Sequence, residues 1–313
     1  MKYRVLGRTG LKVSEVGFGA WAIGGNAYGN SYGPTDDEES KKALLKAAGL
    51  GCNFIDTADV YGYGHSEELL GEALNGVGEE VFIATKVGGN FYSGSTVMDF
   101  STKYIRYAVD QSLLRLKRDY IDLYQLHNPT LEMIIDGEVF NVMDDLKQEG
   151  KIRFYGVSIF KPEEGIAAIK TDKPDALQVV YNIFSQAPAG ELFPIAKEHD
   201  IAIIAREPLG NGFLSGKYKE DSTFVTGDIR TNFPPQYRSA LVKYTNALRF
   251  LEREGRRTMA QAALGFVLGN DAVSVVIPGA KTEEQVEDNL KASDEEPLTS
   301  EELEKIRAVL AGP

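Results

Sequence analysis

The chain repeats one alternation eight times: a short, apolar, largely β-branched run, then a loop, then apolar residues at helical spacing. The runs are 16–20, 52–55, 81–85, 121–126, 152–157, 176–180, 201–205 and 273–277. The helical patterns that follow them are 35–50, 66–75, 102–117, one ending near 149, 162–169, 190–198, the pair 239–254 and 258–268, and 283–290, with a last helix over 300–310. Thr35 with Glu38 three residues on reads as a cap, Gly51 as a stop, and Thr299 or Ser300 as the cap of the last helix. Strands separated by helices pair in parallel, because each helical return brings the chain back to the same end of the sheet. Eight such units in a chain of 313 residues predict a closed (β/α)8 barrel of the TIM type, an α/β fold, rather than an open doubly wound sheet. Ahead of the first unit, 3–6 and 11–14 flank Gly7-Arg8-Thr9-Gly10 and predict a β-hairpin. No linker or low-complexity stretch divides the pattern, so one domain over 1–313 is expected. The longest irregular stretch, 206–236, carries Gly210, Gly212, Gly216, Gly227, Pro234 and Pro235, and a loop of that length is expected to be a lid or clasp.

Charge narrows the partners. With 34 basic and 46 acidic residues the net charge is −12, so nucleic acid and anionic membranes find no positive field, and a small molecule is the expected partner. Cys52 is the only cysteine, which excludes an internal disulfide; with three scattered histidines, His65, His127 and His199, no metal site is expected. The first eight residues lack the apolar segment of a secretion signal and no run is long enough to span a bilayer. A cytoplasmic monomer or weak homo-oligomer is expected.

In such a barrel the chemistry sits where the strands end. The residues there are Asp56, Lys86, His127, Ser158, Gln178 with Asn182, Arg206 with Glu207, and Pro278-Gly279-Ala280-Lys281. Alternation along a strand places Lys86 on the face of Phe82 and Ala84, and His127 on the face of Ile121, Leu123 and Gln125. Asp56, Lys86 and His127 leave three successive strands, so their heads can converge together with Tyr61, which lies just past Asp56 and before Gly62 and Gly64. Singly, each has an ordinary reading: Asp56 a cap, Lys86 a solvated loop residue, His127 a turn residue. Their shared position at neighbouring strand ends favours a site. A free phenol, with a pKa near 10, is a slow acid at neutral pH, and an ammonium beside it is expected to lower that value. A buried lysine needs a counter-charge, which Asp56 supplies, and a neutral His127 can orient a carbonyl. None of these is a strong nucleophile, so the set points to polarising a carbonyl while a hydride cofactor delivers the electron pair. Gly279, Lys281 and Thr282 open a helix and suit a phosphate. No strand is followed by GxGxxG, so a Rossmann site is unsupported.

The sequence resembles the aldo-keto reductase family along its whole length, and within it the bacterial, channel-β-subunit-like branch. The resemblance is carried by Gly7-Arg-Thr-Gly-Leu-Lys-Val-Ser14, Phe54-Ile-Asp-Thr-Ala-Asp-Val-Tyr-Gly62, Ala84-Thr-Lys86, Asp122-Leu-Tyr-Gln-Leu-His127, Gly150-Lys-Ile-Arg-Phe-Tyr-Gly-Val-Ser158, Pro208-Leu-Gly-Asn-Gly-Phe-Leu-Ser-Gly-Lys217 and Ile277-Pro-Gly-Ala-Lys281. It implies a hairpin closing the base of the barrel and NAD(P)H-dependent reduction of aldehydes or ketones, with Asp56, Tyr61, Lys86 and His127 as the catalytic tetrad. It also implies a cofactor groove. Gly19, Ala20 and Trp21 end the first strand; Ser158 and Gln178 meet the nicotinamide carboxamide; Arg206 stands beside the ring. Pro208, Leu209, Gly210, Asn211, Leu214, Gly216 and Lys217 lie over the pyrophosphate. Lys281 and Thr282 meet the 2′-phosphate, Gln285 and Asn289 lie near the adenine, and Gly279 belongs to the same groove. NADPH (NADP+) is the expected cofactor, with NADH left open. Loop aromatics Trp21, Tyr28, Phe91, Tyr92 and Phe233 are the expected walls of a pocket for a small-molecule carbonyl substrate. Three departures stand out. Ile159 follows Ser158 where relatives carry Asn, Arg206 replaces an aromatic that stacks on the nicotinamide, and Thr130 stands where Asp is frequent. The alternatives are a cofactor-binding regulatory subunit with little turnover and an aldolase-type barrel with Lys86 as Schiff base.

Overall fold

The computed structural model describes residues 1–28, 31–77 and 81–311. Eight parallel strands form one sheet in chain order: β1 (Phe18–Gly19), β2 (Phe54–Asp56), β3 (Phe82–Val87), β4 (Ile121–His127), β5 (Ile152–Ser158), β6 (Ala176–Val180), β7 (Ala202–Arg206) and β8 (Val273–Val276). The sheet closes on itself where Val16 bridges Val276 and Gly19 bridges Gly279. Gly17 N–H donates to Val276 O at 2.8 Å and Gly19 N–H to Pro278 O at 2.9 Å across that seam. The protein is therefore a (β/α)8 barrel. Several strands run one or two residues beyond their apolar runs, so Lys86, His127, Ser158 and Arg206 are strand residues with fixed directions rather than loop residues.

Alternation along the strands divides the barrel interior into two zones. The lower zone is apolar: Phe54, Ala84, Leu123, Ala176, Ala202, Ile204 and Val275 pack against Leu6, Leu11 and Val13. Those three come from the hairpin, whose strands Tyr3–Val5 and Lys12–Ser14 pair antiparallel. The hairpin plugs the base, and Arg4 fixes it there by donating to Glu15 and to the carbonyls of Val273 and Leu268 at 2.8 Å each. The upper zone is polar and still buried, holding Asp56, Lys86, Gln125, Ser158 and Gln178. The hairpin and the apolar zone close the lower end, and the polar zone lies toward the loops that follow the strands.

Three local expectations shift. The first helix begins at Asp37 and is capped by Asp36, which accepts from Glu39 N–H at 2.9 Å, one residue after the expected Thr35. Three acids, Asp37, Glu38 and Glu39, then fill its first turn. The single pattern ending near 149 is two helices, Leu131–Asp136 and Glu138–Gln148, broken at Gly137 with φ 76°. The helix expected from 239 starts at Pro235, where a proline at the first helical position loses no hydrogen bond, and ends at Ala247. The last helix is capped by Thr299, reciprocally with Glu302. The first expected loop runs through residues 29 and 30, which lie outside the described residues. Cys52 is buried, which pushes its thiol up to about 11. Among the described residues, no helix is long and apolar enough to cross a membrane and no cluster of His, Cys, Asp and Glu could hold a metal.

One glycine reports on helix packing directly. Gly71, on helix His65–Ala73, passes so close to helix Thr102–Leu116 that a Cβ would stand 2.1 Å from Arg115 O. Gly71→Ala is expected to cost at least about 1–3 kcal/mol, since both backbones must separate. Gly265→Ala, within helix Met259–Leu268 and with open space around its added methyl, is expected to be neutral or to stabilise by up to about 1 kcal/mol. Urea denaturation of both variants checks the pair.

Candidate active site

The site is built around Lys86, which emerges from β3 fully buried. Its ammonium has three N–H donors and three acceptors: Asp56 Oδ2 at 2.6 Å, Thr57 O at 2.8 Å and Tyr61 Oη at 3.1 Å. Asp56 is held in turn, its Oδ1 accepting from Gln178 Nε2 at 2.7 Å and Gln125 Nε2 at 3.2 Å. A buried ion pair is tolerable only when its remaining donors and acceptors are satisfied, and here every one of the three ammonium hydrogens has an acceptor.

The turn that returns Tyr61 over Lys86 follows from local bonding. Thr57 N–H donates to Ala84 O and Asp59 N–H to Lys86 O, so the chain continues along β3 past the end of β2. Tyr61 N–H then donates to Ala58 O and closes the turn. Gly62 follows with φ 61°, and a Cβ there would lie 2.0 Å from Gly24 O, so only glycine fits. His127, the last residue of β4, meets the Tyr61 ring edge-on, with centroids 6.0 Å apart. The four residues expected to act together are thus brought together.

Their protonation follows from their surroundings. Burial alone would lower Lys86, but Asp56 and then Tyr61 outweigh it and raise it, so the ammonium is kept. Loss of water around Tyr61 raises its phenol, and Lys86 only partly offsets this, so the net shift is upward. That corrects the expected lowering: the desolvation of a phenolate outweighs one neighbouring ammonium that is already shared with Asp56. His127 is held well below its ordinary value by loss of solvent, then by the positive charges of Lys86 and Arg206, and is neutral.

The other expected residues sit at the strand ends and in the elements that follow them. Gly19 and Ala20 are buried at the barrel seam. Trp21 stands 6.1 Å from the Tyr61 ring and 4.8 Å from Tyr32. Ser158 donates to Asn128 Oδ1 at 3.1 Å, so an amide stands beside Ser158 although Ile159 follows it in sequence. Gln178 turns its amide toward Asp56 and so shares in holding the carboxylate. Arg206 does not stand free: Nη1 pairs with Glu207 at 2.5 Å, Nη2 donates to Ile159 O at 3.1 Å, and the guanidinium lies 5.2 Å from the Phe160 ring. Its Nε is buried with no hydrogen-bond partner among the described residues. The loop from Pro208 and Leu209 to Lys217 turns through Gly210, Asn211, Gly212 and Gly216, all at positive φ, around a buried Leu214.

At the far end, Lys281 donates to Tyr32 O at 2.7 Å and Pro34 O at 3.0 Å. Burial, then Arg230, lowers its pKa, and Lys217 adds to the effect. Thr282 caps helix Glu283–Lys291 whose N-terminus adjoins Lys281, and Gln285 accepts from Lys281 N–H at 2.8 Å. Asn289 is buried and donates to Gly279 O at 3.3 Å, which ties the helix to the end of β8. Tyr28, Phe91 and Tyr92 belong to one stack completed by Tyr63, with centroids 4.2 Å (Tyr28–Tyr63), 4.8 Å (Tyr63–Phe91) and 4.5 Å (Phe91–Tyr92) apart. Phe233 packs instead in the cluster of Phe213, Leu241 and Val242 within the long loop and the helix after it.

Sequence reasoning passed over Asn128, Tyr32, Tyr63 and Arg230. Asn128 and Tyr63 carry positive φ, which a sequence does not display for a non-glycine residue. Tyr32 donates to Asn211 Oδ1 at 2.9 Å, and Arg230, paired with Asp228, lies 5.0 Å from the Tyr32 ring. Together with the Ser31–Asp228 bridge they join the first loop to the long loop over the groove. Lys217 and Arg230 lie near enough to Lys281 to lower its pKa, and this concentration of positive charge suits an extended anionic cofactor.

The chain is similar to known proteins along nearly its whole length. The sequence pattern that defines the Aldo/keto reductase family matches residues 15–311. Among curated proteins the chain is similar to the uncharacterized oxidoreductase YqkF of Bacillus subtilis, 34% identical with 98% of this chain and 96% of that protein covered. It is also similar to a probable voltage-gated potassium channel subunit beta of Oryza sativa, 31% identical with 99% and 97% covered. Among solved structures it is similar to the holo form of the aldo-keto reductase AKR11C1 of Bacillus halodurans, with a TM-score of 0.80, 33% identity and 99% and 96% of the two chains covered. The chain belongs to the aldo/keto reductase family and is an NAD(P)H-dependent oxidoreductase.

Proposed function

We propose that the protein reduces aldehydes or ketones to alcohols with NADPH, and that Tyr61 is the general acid. The observation that carries this reading is the Lys86 ammonium, which donates at once to Asp56 and to the Tyr61 oxygen. The bound nicotinamide supplies the hydride. Tyr61 keeps its proton at neutral pH because burial raises its phenol, and it gives that proton up as negative charge grows on the carbonyl oxygen. Lys86 then faces the forming phenolate with a hydrogen bond already in place, so no reorganisation is needed as the charge moves. Asp56, anchored by Gln125 and Gln178, keeps the ammonium aimed. Neutral His127 is a hydrogen-bonding group at the mouth and orients the carbonyl. Ser158, with Asn128, would hold the carboxamide, the loop 208–217 the pyrophosphate, and Lys281 with Thr282 the 2′-phosphate. The rim of stacked aromatics would admit an apolar substrate.

Two other readings are less well supported. A Schiff-base mechanism needs a free amine, whereas Lys86 stays charged with all three hydrogens donated. A regulatory subunit with little turnover would have no use for a complete tetrad; NADPH oxidation with a panel of aldehydes separates it from a reductase.

Tyr61→Phe is expected to lower carbonyl reduction at least about a hundredfold while leaving cofactor binding nearly intact, since only the proton donor is lost. Turnover within tenfold of wild type would remove Tyr61 from the acid role.

Lys281→Ala is expected to weaken NADPH binding roughly ten- to a hundredfold, with NADH little changed, because a charge-assisted contact to the 2′-phosphate is lost. Equal losses for both cofactors would assign Lys281 to the part they share or to its bonds with Tyr32 and Pro34.

Arg206 takes the place of a stacking aromatic, but its charge is met by Glu207. Freed of that partner, the guanidinium would repel the cationic oxidised nicotinamide more than the neutral reduced one. Glu207→Gln is therefore expected to weaken NADP+ several-fold relative to NADPH in paired Kd measurements. An unchanged ratio would take Arg206 away from the ring.

A further inference from the structure

Behind the Tyr61 turn, between the barrel wall and helices His65–Ala73 and Thr102–Leu116, lies a second buried polar cluster that the reaction does not use. It contains two carboxyl groups, Asp59 and Glu67, both fully buried. Its cation, Arg115, is turned to other groups. Nε donates to Glu67 Oε2 at 2.8 Å, Nη2 pairs with the same oxygen at 2.7 Å and donates to Ser112 Oγ at 3.4 Å, and Nη1 donates to Tyr92 Oη at 3.1 Å. The other Glu67 oxygen accepts from Thr85 Oγ1 at 2.6 Å. Glu67 and Arg115 thus neutralise one another, and among the described residues no cation is bonded to Asp59.

The partners of Asp59 point the same way. Tyr104 Oη lies 3.0 Å from Gly89 O and 3.3 Å from Asp59 Oδ2. Tyr104 has one hydrogen, and the Gly89 carbonyl can only accept, so the shorter contact takes it. The remaining contact joins two oxygens and is a hydrogen bond when the hydrogen is on Asp59. Asp59 Oδ1 and Tyr124 Oη, both buried, have no hydrogen-bond partner among the described residues, which an ionised carboxylate tolerates far less well than a neutral acid. The groups facing Asp59 are Glu67 and Arg115 from the two helices, Tyr104, Tyr92 from the loop after β3, Tyr124 from β4, and Val60 N–H from its own turn. Burial and then Glu67 raise the Asp59 carboxyl; Arg115, Val60 N–H and Tyr104 offset this only in part.

The position matters for the reaction. Asp59 lies between Asp56 and Tyr61, its N–H donates to Lys86 O, and through Tyr104 its carboxyl is linked to Gly89, just after β3. We propose that Asp59 is a positioning residue for Tyr61, acting as a neutral hydrogen-bonding acid that staples the Tyr61 turn to the segment following Lys86. Its effect on turnover rests on the reductase reading above; its protonation and its effect on the turn do not.

The sign of the pH dependence follows. Below the ordinary carboxyl value of 3.8, Asp59 is protonated folded or unfolded and contributes no difference. As pH rises past that value the unfolded chain releases the proton and the folded protein does not, so wild-type stability falls relative to a chain with no titrating group there. An asparagine keeps the shape and the hydrogen bonding without titrating.

The test compares wild type, Asp59→Asn and Asp59→Ala by melting temperature against pH, by steady-state kinetics, and by the emission of Trp21, the single tryptophan, whose ring lies 6.1 Å from Tyr61. Asp59→Asn is expected to keep Trp21 emission and to keep kcat within about threefold of wild type, far from the loss expected of a misplaced acid. Its melting temperature should exceed that of wild type by at least about 2 °C near neutral pH, with the gap closing toward about pH 4. Asp59→Ala should shift Trp21 emission and lower kcat at least about tenfold with KM for NADPH unchanged. If Asp59→Ala does not fold, Tyr104→Phe breaks the same staple and carries the same expectation. Asp59→Asn melting below wild type at every pH would overturn the neutral acid. Wild-type emission and kcat in Asp59→Ala, or in Tyr104→Phe in its place, would overturn the positioning role. Should wild type reduce no carbonyl, the reductase reading fails, while the melting and emission measurements still decide the role of Asp59.

Discussion

An ammonium buried without water has to be given an acceptor for each of its hydrogens, and the upper half of this barrel is arranged to do that for Lys86. The lysine comes from β3, its counter-ion Asp56 from β2, and the amides that hold Asp56 come from Gln125 on β4 and Gln178 on β6. Thr57 and Tyr61 complete the set from the turn after β2. Four strands and one turn must therefore be in register before the charge is satisfied. Removing Asp56 alone would leave an uncompensated buried charge, which is among the costliest changes a core can suffer, about 3–5 kcal/mol. The arrangement that keeps the lysine charged is the same one that holds its third hydrogen on the phenol.

The base of the barrel makes this possible. Leu6, Leu11 and Val13 of the hairpin fill the space beneath Phe54, Ala84 and Leu123, so the polar zone is closed to water from below. The interior passes from apolar to polar along single strands: on β3, Ala84 lies in the lower core and Lys86, one pleat on, in the site. A shift of β3 by one residue would turn Lys86 outward into the helical layer, where Thr85 and Val87 now point. Strand register and charge satisfaction thus reinforce each other.

The loops over the mouth are linked to one another. Ser31 bridges Asp228, Tyr32 reaches Asn211, and Lys281 donates to carbonyls of the first loop. Arg230 binds Asp228 and lies against Tyr32, Tyr218 and Phe224. This links the loops after β1, β7 and β8, the three that border the barrel seam on that side. A separate polar cluster, of Asp59, Glu67 and Arg115, braces the Tyr61 turn from behind.

The sequence by itself determined the number and order of the strands, the parallel sheet, the hairpin and the convergence of Asp56, Tyr61, Lys86 and His127, because apolar periodicity and strand-end position are local and leave their mark residue by residue. It placed caps only to within a residue, as at Asp36 against Thr35, since adjacent acids and hydroxyls compete for the same N–H groups. What only the tertiary structure decided is who meets whom across the chain. Asn128 beside Ser158, Gln178 on Asp56, Glu207 on Arg206, Tyr32 under Arg230 and Asp59 facing Tyr104 are pairings between side chains or loops whose geometry depends on positive φ values or on distances closed by the barrel. The net direction of the Tyr61 shift belongs there too: the sequence supplies the neighbouring lysine, but the loss of water that outweighs it exists only once the barrel has closed.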